Sequence, residues 1–282
     1  MTAAYDLQAT LAWRQSMDSA IRREEGWLSL CGLHWLAPGR NHLGSAPDCP
    51  LALPSGSAPA HVGDVVLEGE TAHFHVAPGV EALVNGMPVQ STILHPDTSP
   101  TPTRVRVGEV TFVLVLRGER RGLRVWHRAS PRRQAFPGRT WFPVREEYLR
   151  PATFVRYDPP RAMAVGNVLG DTQIEACPGY LAFDLAGVPA RLLVAEADAN
   201  GLFLLFADAT NGVTTYPAGR FLTTEPVDGD QVRLDFNRAY NPPCAFTPFA
   251  TCPLPSSENR LSMPVEAGEL FEAAWGHVPG AP

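Results

Sequence analysis

The stretch Arg104-Val105-Arg106-Val107-Gly108-Glu109-Val110-Thr111-Phe112-Val113-Leu114-Val115-Leu116 decides the fold class. Over 104–107 charged and apolar residues alternate, the period of a strand with one wet face. Gly108-Glu109 then supplies a turn, and 110–116 is an apolar run of strand length, far below a membrane span. After a further turn, 123–127 continues the pattern. The reading is consecutive antiparallel strands joined by tight turns.

Working outward, the same period marks 28–30, 64–67, 71–76 and 82–84, punctuated by Pro38-Gly39, Pro54-Ser55-Gly56, Pro78-Gly79 and Asn85-Gly86. Asn85-Gly86 predicts a two-residue hairpin, because both residues tolerate positive φ. Strands at this spacing indicate a β-sandwich. A second β-rich region follows in 152–157, 163–168, 180–185, 190–195, 202–206, 232–237 and 261–265, while five prolines make 241–259 irregular backbone. No strand–helix alternation appears, which disfavours a parallel sheet. At the other end, Leu7, Leu11, Trp13, Met17 and Ile21 follow a helical period over 5–25, with Asp6 at the start and Gly26 at the stop. The expected organisation is mainly β: an N-terminal helical arm (1–26), a sandwich (27–130) and a second antiparallel β module, barrel or sandwich (131–282).

Composition excludes several chemistries. All 23 basic residues are arginine. Without lysine there is no Schiff-base catalysis and no phosphate-gripping lysine of a nucleotide loop. The motifs Gly-x-Ser-x-Gly and His-Glu-x-x-His are absent, as is a glycine-rich dinucleotide fingerprint. A net charge of −6 gives no general reason to expect nucleic acid. Segment 117–139 departs from that average, with eight arginines against the single acid Glu119. Pairing with acids elsewhere is the simpler account of such a run; binding an anionic partner is the other. No secretory signal or membrane span is visible, so a cytoplasmic location with reduced cysteines is expected, and five cysteines cannot all pair.

Two resemblances follow from particular residues. From Gly39 to about Arg117 the chain resembles a forkhead-associated (FHA) sandwich, through Leu43-Gly44-Ser45, Ser57 and His61, Val84-Asn85-Gly86 and Gly108-Glu109-Val110-Thr111-Phe112. That resemblance implies loops that grip a phosphothreonine. Here Ser45 stands in the family arginine's place, and one extra residue separates Ser57 from His61. The second half resembles the uncharacterised bacterial and archaeal family DUF1684. It does so through Phe206-Ala-Asp208-Ala-Thr210-Asn211-Gly212, Thr215-Tyr216-Pro-Ala-Gly219-Arg220, Asp235-Phe-Asn237-Arg-Ala-Tyr240-Asn241-Pro-Pro-Cys244, Cys252-Pro-Leu-Pro255 and Glu258-Asn259-Arg260-Leu261. That family carries no established activity.

Candidate chemistry concentrates in this second string. If 232–237 is a strand, Arg233, Asp235 and Asn237 share the face opposite Val232, Leu234 and Phe236. Asp208 and Arg220 are expected to join them. Asp235, with Asp208 as second candidate, is the expected base or acceptor, and Arg220 the anion clamp. Asn237, Asn241 and Arg233 complete the ligand contacts. The alternative use of these residues is structural, in turns and at the surface. The expectation is a site for a small polar or anionic ligand, in enzymatic form a cofactor-independent hydrolase or isomerase. The alternative function is a protein-interaction module using the FHA-like loops and the 117–139 segment. No cofactor or metal is expected: Cys244 and Cys252 read as buried thiols, and His73 and His75 as exposed strand histidines that only His61 or His34 could complete.

Overall fold

The computed structural model describes residues 5–277, in two compact units: residues 19–136, and residues 5–18 together with 137–277. Helix α1 (Leu7–Ile21) realises the period of the arm. Asp6 Oδ1 accepts the Ala9 backbone N–H at 2.9 Å, satisfying one donor that a helix start leaves open. Turns, rather than helix, carry the chain from Ile21 to Gly26. The stripe packs: Trp13 meets Trp141 and Tyr240 edge-on, with ring centroids 5.6 and 6.1 Å apart.

Eleven strands build the unit of residues 19–136: β1 Leu30–Trp35, β2 Gly39–Gly44, β3 Leu51–Ala52, β4 Gly63–Glu68, β5 Thr71–Val76, β6 Ala82–Val84, β7 Met87–Val89, β8 Ser91–Ile93, β9 Arg104–Val107, β10 Val110–Arg117 and β11 Arg120–His127. They form two sheets, β1-β11-β10-β9-β6-β7 and β3-β2-β4-β5-β8, the sandwich that the turn spacing predicts. Phe74 of β5 and Phe112 of β10 are fully buried and meet edge to face, 5.2 Å between centroids, joining the two sheets. Around them pack Leu43, Val65, Val105, Leu123 and Val125. Asn85 and Gly86 have φ of 51° and 80°, as the primed hairpin between β6 and β7 requires. Strand β2 has almost no β propensity and was not anticipated. Its register against β4, and Gly44, bring it in: a Cβ on Gly44 would stand 2.0 Å from the Ala60 carbonyl oxygen.

Within this unit the arginine-rich hairpin is occupied internally. Arg117 pairs with Asp97 at 2.8 Å, Arg121 with Glu70 at 3.3 Å and Arg128 with Glu109 at 2.9 Å. Arg120 lies over Trp35 and Arg124 over Trp27.

The other unit is one six-stranded antiparallel sheet, β16-β15-β14-β13-β12-β17, curled into a half-barrel. Its strands are β12 Leu149–Gly166, β13 Thr172–Leu185, β14 Val188–Asp198, β15 Gly201–Phe206, β16 Arg220–Thr223 and β17 Gln231–Asp235. The two strands read at 152–157 and 163–168 are one long strand, β12, whose pairing with β13 shifts register between Arg156 and Arg161. The stretch 261–265 is not a strand. Its Leu261 N–H donates to the Ala207 carbonyl and its Val265 N–H to the Asp208 carboxylate, so a side chain replaces part of a ladder. Leu181, Leu192, Leu204, Phe206, Leu222, Leu234 and Phe236 fill the concave face. Among the described residues no helix is long and apolar enough to cross a membrane.

The Phe74–Phe112 contact yields a first test. Phe112→Ala removes a ring from a closed core and costs about 3–5 kcal/mol. Hydrogen exchange should then lose protection in the β4, β5 and β10 peptides while β12–β15 keep theirs. Unchanged protection in β5 would show that the contact does not hold the sheets.

Candidate functional site

The residues singled out near the end of β15 form a closed network. Asp208 ends the apolar run 202–207, and its turn is built by its own side chain: Oδ1 accepts the Thr210 N–H at 2.8 Å and the Thr210 hydroxyl at 2.7 Å. Asn211 returns the favour, accepting the Asp208 N–H at 2.6 Å and donating to the Tyr216 carbonyl at 2.7 Å. The loop then delivers Arg220, whose guanidinium donates to Asp208 Oδ2 at 2.6 Å, to the Val265 carbonyl at 2.9 Å and to the Ala267 carbonyl. Neither side chain of the pair has exposed surface. Burial lowers the Arg220 pKa, against the pull of Asp208. Beside this pair, Glu269 accepts from Arg139 at 2.5 Å and from the Asn241 N–H at 2.8 Å; its burial raises its pKa, opposed chiefly by Arg139.

The second group gathers at the end of β17. Val232 and Leu234 face the core and Arg233 and Asp235 the other side, as the alternation requires. The strand stops at Asp235, however, and Phe236–Arg238 make a 3-10 turn. That turn removes Asn237 from the strand face and buries it. Its amide donates to the Arg145 carbonyl (2.9 Å) and to Asp235 (2.9 Å), and its oxygen accepts the Arg145 N–H at 3.0 Å. Asp235 also accepts from the Tyr5 hydroxyl at 2.9 Å; burial is the main cause that lifts Tyr5 to about 12. Asn241 donates to the Leu270 carbonyl at 2.8 Å. Arg233 is exposed and reaches Glu225 at 3.9 Å.

The structure thus joins Asp208 with Arg220 and Asp235 with Asn237, seats Asn241 on Glu269, and leaves Arg233 at the surface. These groups hydrogen-bond one another and the backbone. The concave space lies beside them, a pocket of ≈ 430 Å³ lined by Asn167, Val168, Gly170, Ala207, Pro217, Ala218, Leu254, Pro255 and Arg260. Two of its walls lie close to the ion pair in sequence: Ala207 directly precedes Asp208, and Pro217-Ala218 are separated from Arg220 by Gly219 alone. Arg260 was not anticipated as a site residue. Its neighbour Asn259 is buried and pinned to Leu193 N–H (2.6 Å), Leu193 carbonyl (2.9 Å) and Leu205 carbonyl (2.8 Å). The Arg260 side chain is exposed, and among the described residues no hydrogen bond or ion pair reaches its guanidinium. The signal available was an arginine immediately after a buried asparagine in the proline-rich stretch.

The FHA-like loops hold their polar groups differently. Ser45 Oγ donates to the Ala58 carbonyl at 2.7 Å and Ser57 Oγ to the Pro54 carbonyl at 2.6 Å. His61 lies 3.3 Å from the carboxylate of Asp64. Cys244 and Cys252 are buried free thiols, the Cys244 N–H donating to Cys252 Sγ at 3.2 Å.

Comparison with known proteins places these features. Residues 134–270 match the family described as "Protein of unknown function (DUF1684)". A solution structure of an uncharacterized protein from Haloarcula marismortui is 33% identical over 50% of this chain and 80% of its own, with a TM-score of 0.42. Two FHA domains match at 18% identity over 33% of this chain, each with a TM-score of 0.24. One comes from a study of phosphothreonine-dependent interactions (92% of its length), and the other is the FhaA FHA domain (96%). No curated protein matches.

The buried pair yields a second test. Asp208→Ala strands a cation inside the module and costs about 3–5 kcal/mol, because an unpaired buried charge is far worse than a lost contact. Exchange protection should fall first in 207–220 and 261–267. A variant with wild-type protection there would remove the pair from any structural role.

Proposed function

We propose that this chain, which belongs to the DUF1684 family, binds a small organic anion in the pocket beside Arg260. The Arg260 guanidinium, unpaired among the described residues, on a mostly apolar wall carries this reading. Val168, Ala207, Pro217, Ala218, Leu254 and Pro255 offer hydrocarbon surface, and the volume lies in the range of small-molecule sites, roughly 300–1,000 Å³. The Asn167 amide is engaged with Asp171, which leaves Arg260 as the side chain that reads charge. A guanidinium offers a carboxylate two parallel N–H donors, and the ligand's apolar body would lie against the prolines and Leu254. The described lining residues, Arg260 and a mainly hydrocarbon wall, suit binding of an anion with an apolar body. Asp208 and Arg220 then act as the brace behind two walls, and Asp235 with Asn237 as the brace of the 145–149 approach to β12.

The test is calorimetric titration of the full chain with a panel of small mono- and dicarboxylates and with inorganic phosphate. A carboxylate with an apolar body should bind, and Arg260→Ala should cost about 1.5–3 kcal/mol, the worth of charged hydrogen bonds. Arg260→Lys should recover part of that, since an ammonium cannot form the fork. Equal affinity in wild type and Arg260→Ala, or no binding by any anion, overturns the proposal. Stabilisation by a phosphopeptide that ignores Arg260→Ala would favour the interaction-module reading.

A further inference from the structure

The outer face of the sheet β3-β2-β4-β5-β8 gathers imidazoles around one carboxylate. His42 of β2 is registered directly across from Asp64 of β4, and His61 stands in the loop that enters β4. His42 Nδ1 lies 2.7 Å and His61 Nε2 3.3 Å from the same oxygen, Asp64 Oδ1. The three donor atoms all lie within 4.8 Å of one another. On the other side of β4, the register sets His75 of β5 across from Asp64, and His73 follows two residues away on the same face. Cross-strand partners keep their Cβ atoms about 4.5–5.5 Å apart, so His75 neighbours Asp64 without joining the three donors that stand within 4.8 Å of one another. The His73 and His75 rings stack, 6.4 Å apart and 15° from parallel. Two imidazoles therefore converge on Asp64, with the His73–His75 stack on the neighbouring strand.

From this arrangement we infer a divalent transition-metal site, of the zinc type, held by His42 Nδ1, His61 Nε2 and Asp64 Oδ1, with the fourth position left for solvent or a ligand. Two imidazoles and a carboxylate are a nitrogen–oxygen set that suits zinc and cobalt and does not suit magnesium or calcium. Tetrahedral zinc with ligands at about 2.0–2.1 Å sets neighbouring donors roughly 3.3–3.4 Å apart. The His61–Asp64 separation already fits, and the His42–Asp64 separation has to open by about 0.6 Å to meet that spacing. The freedom is there: both histidine side chains are 52% exposed, whereas Asp64 is 15% exposed and fixed in its strand. Arg40 donates to the other oxygen, Asp64 Oδ2, at 3.1 Å. It so acts as an outer hydrogen-bond partner that keeps Oδ1 turned to the imidazoles. The sequence spacing of His73 and His75 pointed at this sheet but not at its centre, and His34, one candidate to complete them, belongs to β1 of the opposite sheet. The site lies wholly in the unit of residues 19–136 and is independent of the Arg260 pocket.

Titrating the full chain with Co²⁺, and then displacing it with Zn²⁺, tests the assignment. One equivalent should bind, with visible ligand-field bands and without the strong near-ultraviolet band of thiolate ligation. His42→Ala, His61→Ala and Asp64→Asn should each lose more than about tenfold in affinity, since even outer-shell changes cost 10–100-fold. Arg260→Ala should leave both the affinity and the visible spectrum unchanged. The histidines are half-exposed, so their variants should keep the wild-type far-ultraviolet circular dichroism. Three results overturn the inference: no stoichiometric binding by wild type, a thiolate band, or a His42→Ala/His61→Ala double variant within about threefold of wild type.

Discussion

The buried ion pair between Asp208 and Arg220 is the constraint on which the second unit turns. Two charges with no exposed side-chain surface are expensive to desolvate. That cost is offset only because every neighbour is committed to them: Thr210 and the Val265 N–H on the carboxylate, the Val265 and Ala267 carbonyls on the guanidinium. The pair therefore decides where three pieces of irregular chain lie: the turn after β15, the loop before β16, and the run 261–267. None of these has a ladder of its own to hold it.

That arrangement explains why the pocket lies where it does. Its walls are drawn from segments that the pair and Asn259 hold in place: Ala207, Pro217 and Ala218 on one side, Arg260 on the other. Asn259 supplies the hydrogen bonds that a neighbouring strand would have made to Leu193 and Leu205, beside the register shift in β14. Rigid support behind an exposed guanidinium is the combination that a binding site needs, because little conformational entropy remains to be lost when a ligand arrives. The polar residues of highest chemical interest in the sequence are the supports, and the exposed arginine between them and solvent is the contact we propose.

The two units use charge in opposite ways. In the sandwich, arginines of the β10–β11 hairpin meet acids and tryptophan rings near the surface, pairs that contribute little to stability individually. In the half-barrel, Asp208, Arg220, Arg139 and Glu269 are sealed inside and direct the backbone. The imidazole cluster around Asp64 belongs to neither pattern: it is exposed, and its members converge on one oxygen rather than on scattered partners.

Sequence alone determined the mainly β class, the leading helix with Asp6 as its cap, the Asn85-Gly86 hairpin and the irregular course of 241–259. Each of these depends on local rules: a period of two or 3.6, the φ that Asn and Gly tolerate, the donor that proline lacks. It also singled out Asp208, Arg220 and Asp235, as candidate catalytic and ligand-binding groups. Only the tertiary structure decided what they matter for. Whether a carboxylate faces a ligand or an arginine is fixed by segments far apart in sequence, here 208, 220 and 265, and by the turn at 236–238 that draws Asn237 off its strand face. For the same reason β2 and the His42–Asp64 pairing were invisible beforehand. A strand with weak propensity exists because β4 pairs with it, and register between distant strands, which no local pattern encodes, is what set those histidines around one carboxylate.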